Sequence, residues 1–72
     1  MRLYIEPSMR TPSNVGTALD LGCTLVNGPT EADVLMKSTG SSVVDEVFGN
    51  MFVPRGKITV NSIDQLKTLI KK

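Results

Sequence analysis

No apolar run in this chain exceeds three residues, and glycine or proline recurs between the runs. The triplets Val34-Leu35-Met36 and Met51-Phe52-Val53 are typical. A membrane span needs roughly 18 consecutive apolar residues, so none is encoded here. What remains is a domain of short strands and short helices joined by tight turns. At 72 residues there is room for one such domain. A chain of this size buries only about 60 % of the surface its unfolded form exposes, so a deep cleft is not expected.

The punctuation predicts the elements. Arg2 to Glu6 alternates, with Leu3 and Ile5 on one side, and Pro7 ends the strand. Thr11-Pro12-Ser13 opens a helix with Thr11 or Ser13 as its N-cap. Val15, Ala18 and Leu19 form its apolar side, and Gly22 stops it. Cys23 to Val26 is β-prone and runs into the turn Asn27-Gly28-Pro29. Asp33 to Lys37 reads as a buried strand, followed by the loop Ser38-Thr39-Gly40-Ser41-Ser42.

A second helix is predicted next. Val43, Val44, Val47 and Phe48 share one helical face, Ser42 and Asp45 form a weak capping box, and Gly49 closes it. Pro54-Arg55-Gly56 turns the chain into a fourth strand, Lys57 to Val60. The closing helix has Ser62 and Gln65 as a capping box and Ile63, Leu66, Leu69 and Ile70 as its stripe. Lys67, Lys71 and Lys72 oppose the negative end of its dipole. The order β-α-β-β-α-β-α predicts a small α/β fold: a four-stranded, mainly parallel sheet with helices on both faces.

That order resembles the BRCT domain, especially the short type in bacterial NAD-dependent DNA ligases. Leu19-Asp20-Leu21-Gly22-Cys23-Thr24-Leu25-Val26 is similar to the family's helix, Leu-Gly-Gly and strand element, with Cys23 in place of the second glycine. Ala32-Asp33-Val34-Leu35-Met36-Lys37 is similar to its Thr-Asp-Tyr-Val-Val strand, and Gly40-Ser41-Ser42 to the Gly-Ser-Lys that precedes its second helix. Lys57 to Leu66 is similar to the closing strand and helix, with Leu66 at the position of an aromatic. The family's phosphate-binding lysine would fall near Ser42 or Val43, and neither is basic. The resemblance implies neighbouring first and third strands and a phosphate pocket for a 5′ DNA end or a phosphopeptide, in DNA repair or replication.

The chemistry available is narrow. The chain has no histidine and one cysteine, Cys23, which excludes His-based catalysis, a zinc cluster and a disulfide framework. An enzyme, a metal or another cofactor is therefore not expected. Eight basic against seven acidic residues give no global pull toward nucleic acid. The lone cysteine fits a reducing compartment, and Met1 to Pro7 lacks the apolar core of a signal peptide, so a cytoplasmic location is expected. Cys23 itself reads as a small buried hydrophobe, and Glu6, Glu31 and Asp33 as solvated ends of elements.

Two sets of residues are candidates for binding. The loop Thr39, Gly40, Ser41 and Ser42 should lie at the carboxyl end of a strand and the N-terminus of a helix, where anions bind. Lys37 would add charge, and Ser8 and Arg10 would join it if the first and third strands are neighbours. The alternative for this loop is a solvated connector. Met51, Phe52 and Val53, with Met9, place bulky apolar groups in a predicted loop that either covers the core or contacts a partner. Two functions follow: a non-catalytic module recognising a phosphate-bearing partner, or a small accessory or inhibitor protein that contacts another protein or a second copy of itself.

Overall fold

The structure, a computed structural model, describes residues 1–70; Lys71 and Lys72, expected at the basic end of the closing helix, lie outside the described residues. The elements are β1 (Arg2–Ile5), α1 (Pro12–Asp20), β2 (Thr24–Leu25), β3 (Val34–Met36), β4 (Val43–Val44), β5 (Met51–Phe52), β6 (Ile58–Val60) and α2 (Ile63–Ile70). Two 3₁₀ turns, Pro7–Met9 and Pro29–Glu31, follow β1 and β2. The four-stranded sheet has the order β2-β1-β3-β6, and every pairing in it is parallel. This is the small α/β sheet expected from the sequence.

Local chemistry sets the helix boundaries. Thr11 is the N-cap of α1: its side chain accepts a 3.2 Å hydrogen bond from the Asn14 N–H, and Pro12 takes the first helical position. Gly22, at φ +88°, supplies the left-handed residue past the helix end. At α2 the Gln65 N–H donates to Ser62 Oγ at 3.3 Å. The Gln65 side chain reaches back to accept from the Asn61 N–H at 2.8 Å. Leu19 departs from its predicted side of α1 and is exposed.

All the apolar residues of the two central strands are buried: Leu3, Tyr4 and Ile5 on β1, and Val34, Leu35 and Met36 on β3. Their alternation divides the core into two clusters. Leu3, Ile5, Val34, Met36 and Val60 face Ala18 of α1, Cys23 and Leu66 of α2. Tyr4 and Leu35 face the other way, beneath Ala32 and Val43, with Val26 and Phe52 at the margin.

Both helices therefore lie on one face, packed against each other, which corrects the expectation of helices on both faces. Right-handed connections account for the division. The step from β1 to β2 runs one way across the sheet, with α1 above it. The steps from β2 to β3 and from β3 to β6 run the opposite way and so must cross the other face. Val26, Ala32, Val43 and Phe52 are the residues those two connections bury there.

The second of these connections is not the predicted helix. Residues 43–52 form an antiparallel hairpin in which Val43 pairs with Phe52 and Val44 with Met51. Asp45 accounts for the difference. Its buried carboxylate accepts from the Val47 N–H at 2.9 Å and the Phe48 N–H at 3.2 Å, the bonds of a capping residue, which leave Val43 and Val44 outside the single turn that follows. The Asp45 N–H donates to Asn50 O at 2.7 Å, closing the hairpin, and Gly49 turns it at φ +70°. The β-branched Val43-Val44 pair favours a strand as well.

Leu66 is fully buried at the centre of the helix-side core. Leu66→Ala is expected to cost about 2–5 kcal/mol through lost burial and the cavity left behind. Urea unfolding of the two proteins measures the difference, and a loss under about 1 kcal/mol would show that α2 is not anchored by this residue.

Candidate functional site

In an open α/β sheet, ligands bind outside the carboxyl ends of the strands where the chain's direction across the sheet reverses. Here that point lies between β1 and β3, whose last residues Ile5 and Met36 are paired. The Glu6 N–H continues the ladder, donating to Met36 O at 2.8 Å. The crevice beyond is bordered by the chain after Glu6 and by the loop after Lys37.

Glu6 occupies it. Its carboxylate accepts from the Ser38 N–H at 2.8 Å, from Ser38 Oγ at 3.2 Å and from Ser41 Oγ. Burial pushes the Glu6 carboxyl up, but hydrogen bonds from Ser41, Ser38 and Ser8 outweigh it and hold the group below the ordinary carboxylate range. Ser38 and Ser41 thus converge on an anion that is a side chain of the same protein. Ser38 and Glu6 were not singled out for this role by the sequence. A carboxylate at the end of a central strand, facing a serine-rich loop, was the available signal.

The rest of the predicted anion site is arranged differently. The loop after Lys37 leads into β4 and not into a helix, which corrects the expectation of a helix N-terminus and removes its dipole from the site. Ser41 N–H donates to Ser38 O at 3.1 Å, making a tight turn with Thr39 and Gly40 at its tip. Gly40 has φ +78°, the conformation a type II turn requires at that position. Ser42 leads into the hairpin, and its carbonyl accepts from Ser41 Oγ at 3.3 Å. The Lys37 backbone is tied to β6, its N–H donating to Val60 O at 3.0 Å and its carbonyl accepting from Asn61 Nδ2 at 3.1 Å.

Arg10 turns to the hairpin. Its Nη1 donates to both Glu46 oxygens, at 2.8 and 2.9 Å, and its Nη2 to Ile5 O at 2.6 Å. The guanidinium lies 5.5 Å from the centre of the Tyr4 ring. Burial, followed by the Glu46 charge, raises the Tyr4 phenol above its usual range, so it stays protonated and donates to Val44 O at 2.5 Å. Together Arg10 and Tyr4 hold the hairpin against the sheet. Two other basic residues are also engaged. Arg2 pairs with Asp33 at 3.5 Å, and Lys57 donates to Ala32 O at 2.6 Å. The basic residues so held form no joint patch.

The apolar candidates separate in the same way. Met51–Phe52 is strand β5 and not a loop. Phe52 turns inward to the Tyr4 cluster, and Met9 packs on the helix side of the sheet, so neither forms a common surface with Met51 and Val53. The exposed set is instead Phe48 (72 %), Met51 (71 %), Val53 (65 %), Val47 (64 %) and Val44 (41 %). The predicted helix would put Val44, Val47 and Phe48 on one face with Val43; the hairpin separates them from it. Gly49-Asn50 signals a turn here, but the strands that pair are Val43–Val44 and Met51–Phe52, across residues 45–50.

Cys23 is buried, and burial pushes its thiol up, which fits a packing role. The described residues form no enclosed pocket and no group of three or more His, Cys, Asp or Glu placed to hold a metal ion. None of their helices is long and apolar enough to cross a membrane. The chain matches no protein-family model, no curated protein and no solved structure.

The Glu6 contacts carry a pH dependence of defined sign. A carboxyl whose folded pKa is depressed stabilises the fold above its unfolded pKa and loses that contribution as pH falls through the folded value. Glu6→Gln is expected to lower stability at neutral pH and to flatten the acid limb of the stability profile below about pH 5. Urea midpoints measured from neutral to acid pH test this; parallel profiles for the two proteins would remove Glu6 as a source of the acid sensitivity.

Proposed function

We propose that this protein is a small, non-catalytic contact module that works in the cytoplasm as an accessory or inhibitor, binding a protein partner through the outer face of the β4–β5 hairpin. One observation carries this reading: the outward cross-strand pair of the hairpin, Val44 and Met51, is apolar and open, and Val47, Phe48 and Val53 extend it. The solvent face of an antiparallel pair is ordinarily polar. The hairpin's inner pair, Val43 and Phe52, already meets the core's needs, so packing within the chain gives no reason for the outer residues. Contiguous exposed apolar surface of this kind marks a contact site.

A photo-crosslinking side chain in place of Phe48, with the same group in place of exposed Leu19 as control, tests it in an extract of the cell of origin. A defined product is expected from position 48 alone. It should persist at about 1 M salt, where charge attraction is screened beyond ~3 Å. Equal labelling from both positions, or loss of the product in salt, would count against an apolar contact.

A second reading, a BRCT-like module for a 5′-phosphate DNA end or a phosphopeptide in repair or replication, draws support from the convergence of Ser8, Ser38 and Ser41 beside Lys37. A phosphate entering there has to displace the Glu6 carboxylate. Removing that competitor with Glu6→Gln should therefore strengthen binding. A ¹H–¹⁵N titration at low salt, with a 5′-phosphorylated duplex and its unphosphorylated twin, decides. Shifts at Ser8 and Ser38 to Ser42 with the phosphorylated duplex, larger in Glu6→Gln, support this reading; no difference between the duplexes in either protein rejects it.

A further inference from the structure

We infer that the partner of the hairpin face is a second copy of this chain, joined across a two-fold axis; the inference rests on the contact reading above and names its occupant. Among the described residues eight large apolar ones are exposed, and five of them, Val44, Val47, Phe48, Met51 and Val53, belong to the hairpin and its immediate continuation. The other three, Met1, Leu19 and Ile58, sit singly on different elements. The surface is thus one patch and not a general stickiness.

Its size fits self-association. Phe48 alone would offer about 150–250 Å² if fully open, and with the smaller Val and Met residues at their partial exposures the five present on the order of 500 Å². That is about a tenth of the 4314 Å² total, the share that one partner of a specific interface contributes. Two copies meeting face to face would bury about 1,000 Å², the lower limit for a specific interface. A dimer of moderate affinity that dissociates on dilution follows from that figure.

Charge and geometry favour a copy of the same chain. A two-fold interface sets a patch against itself, so a charge near the axis would meet its like. The five residues carry none. Two charged residues lie between them in sequence: Asp45 is buried and accepts from the Val47 and Phe48 amides, and Glu46 is paired with Arg10 of the same chain. The net charge of +1 leaves almost no long-range repulsion between copies. The hairpin is also held in place before any partner arrives, since Tyr4 donates to Val44 O and Arg10 grips Glu46, so association orders little that was free.

Sedimentation equilibrium from about 10 μM to about 1 mM, the range suited to a small interface, is the test. The apparent mass should rise from 7.8 kDa toward twice that value. Phe48→Asp and Val47→Asp, both in the hairpin turn and clear of the core, should remain at the monomer mass with well-dispersed amide spectra. Leu19→Asp should dimerise like the parent protein. A parent protein that stays monomeric at about 1 mM overturns the inference, as does a dimer that survives both turn substitutions. If the parent is monomeric and the crosslinker at position 48 still captures a different protein, the second copy is rejected and the contact reading stands; if neither occurs, both fall.

Discussion

The parallel ladder between β1 and β3 is the constraint on which everything else depends. Leu3, Tyr4 and Ile5 lie beside Val34, Leu35 and Met36, and all six are buried. Because side chains alternate along a strand, a pair of strands buried throughout needs cover on both faces. A chain of 72 residues has little material for that. Two short helices cover the Leu3 and Ile5 side, and the other side is left to the passage through Ala32 and to a ten-residue hairpin. Tyr4 serves both needs on that side, since its ring fills the thin layer and its hydroxyl bonds the hairpin backbone.

The same ladder brings the two strand ends together and so creates the crevice where α/β proteins bind ligands. In this protein the crevice is closed from within. The Glu6 carboxylate takes the Ser38 and Ser41 donors, and Arg10 is committed to Glu46 and to Ile5 O. These contacts connect β1 to the loop before the hairpin and to the hairpin itself. Glu6, Arg10 and Glu46 are thus used to fasten the loop and the hairpin to the sheet. The exposed apolar residues gather on the hairpin's outer side.

The hairpin shows how one residue decides between two readings of the same segment. Val43, Val44, Val47 and Phe48 have helical spacing, and Gly49 resembles a helix stop. Asp45 satisfies the Val47 and Phe48 amides with its side chain and the Gly49 N–H with its carbonyl at 2.6 Å, so one turn forms after it and Gly49 stops it. With a helix, these four residues would share a buried face. With a hairpin, Val43 goes in and Val44 goes out, and the turn carries Val47 and Phe48 into solvent. A buried stripe becomes an exposed patch through a change of period from 3.6 to 2.

The elements whose signals are local were legible in the chain. Leu3 to Ile5 between polar neighbours, Thr11-Pro12 before α1, Gly22 after it, and Ser62 with Gln65 before α2 each act within a few residues, so sequence alone determined where those elements begin and end. It also determined the absence of His-based chemistry, because no histidine is present. Facing was a different matter. Whether Leu19 points in or out, whether Met9 joins Met51, and whether Ser41 meets a ligand or Glu6 depend on contacts across 30 or more residues or on opposite faces of the sheet. Only the tertiary structure decided these, because strand neighbours and sheet faces are set by how the whole chain crosses the ladder, and no local spacing encodes that path.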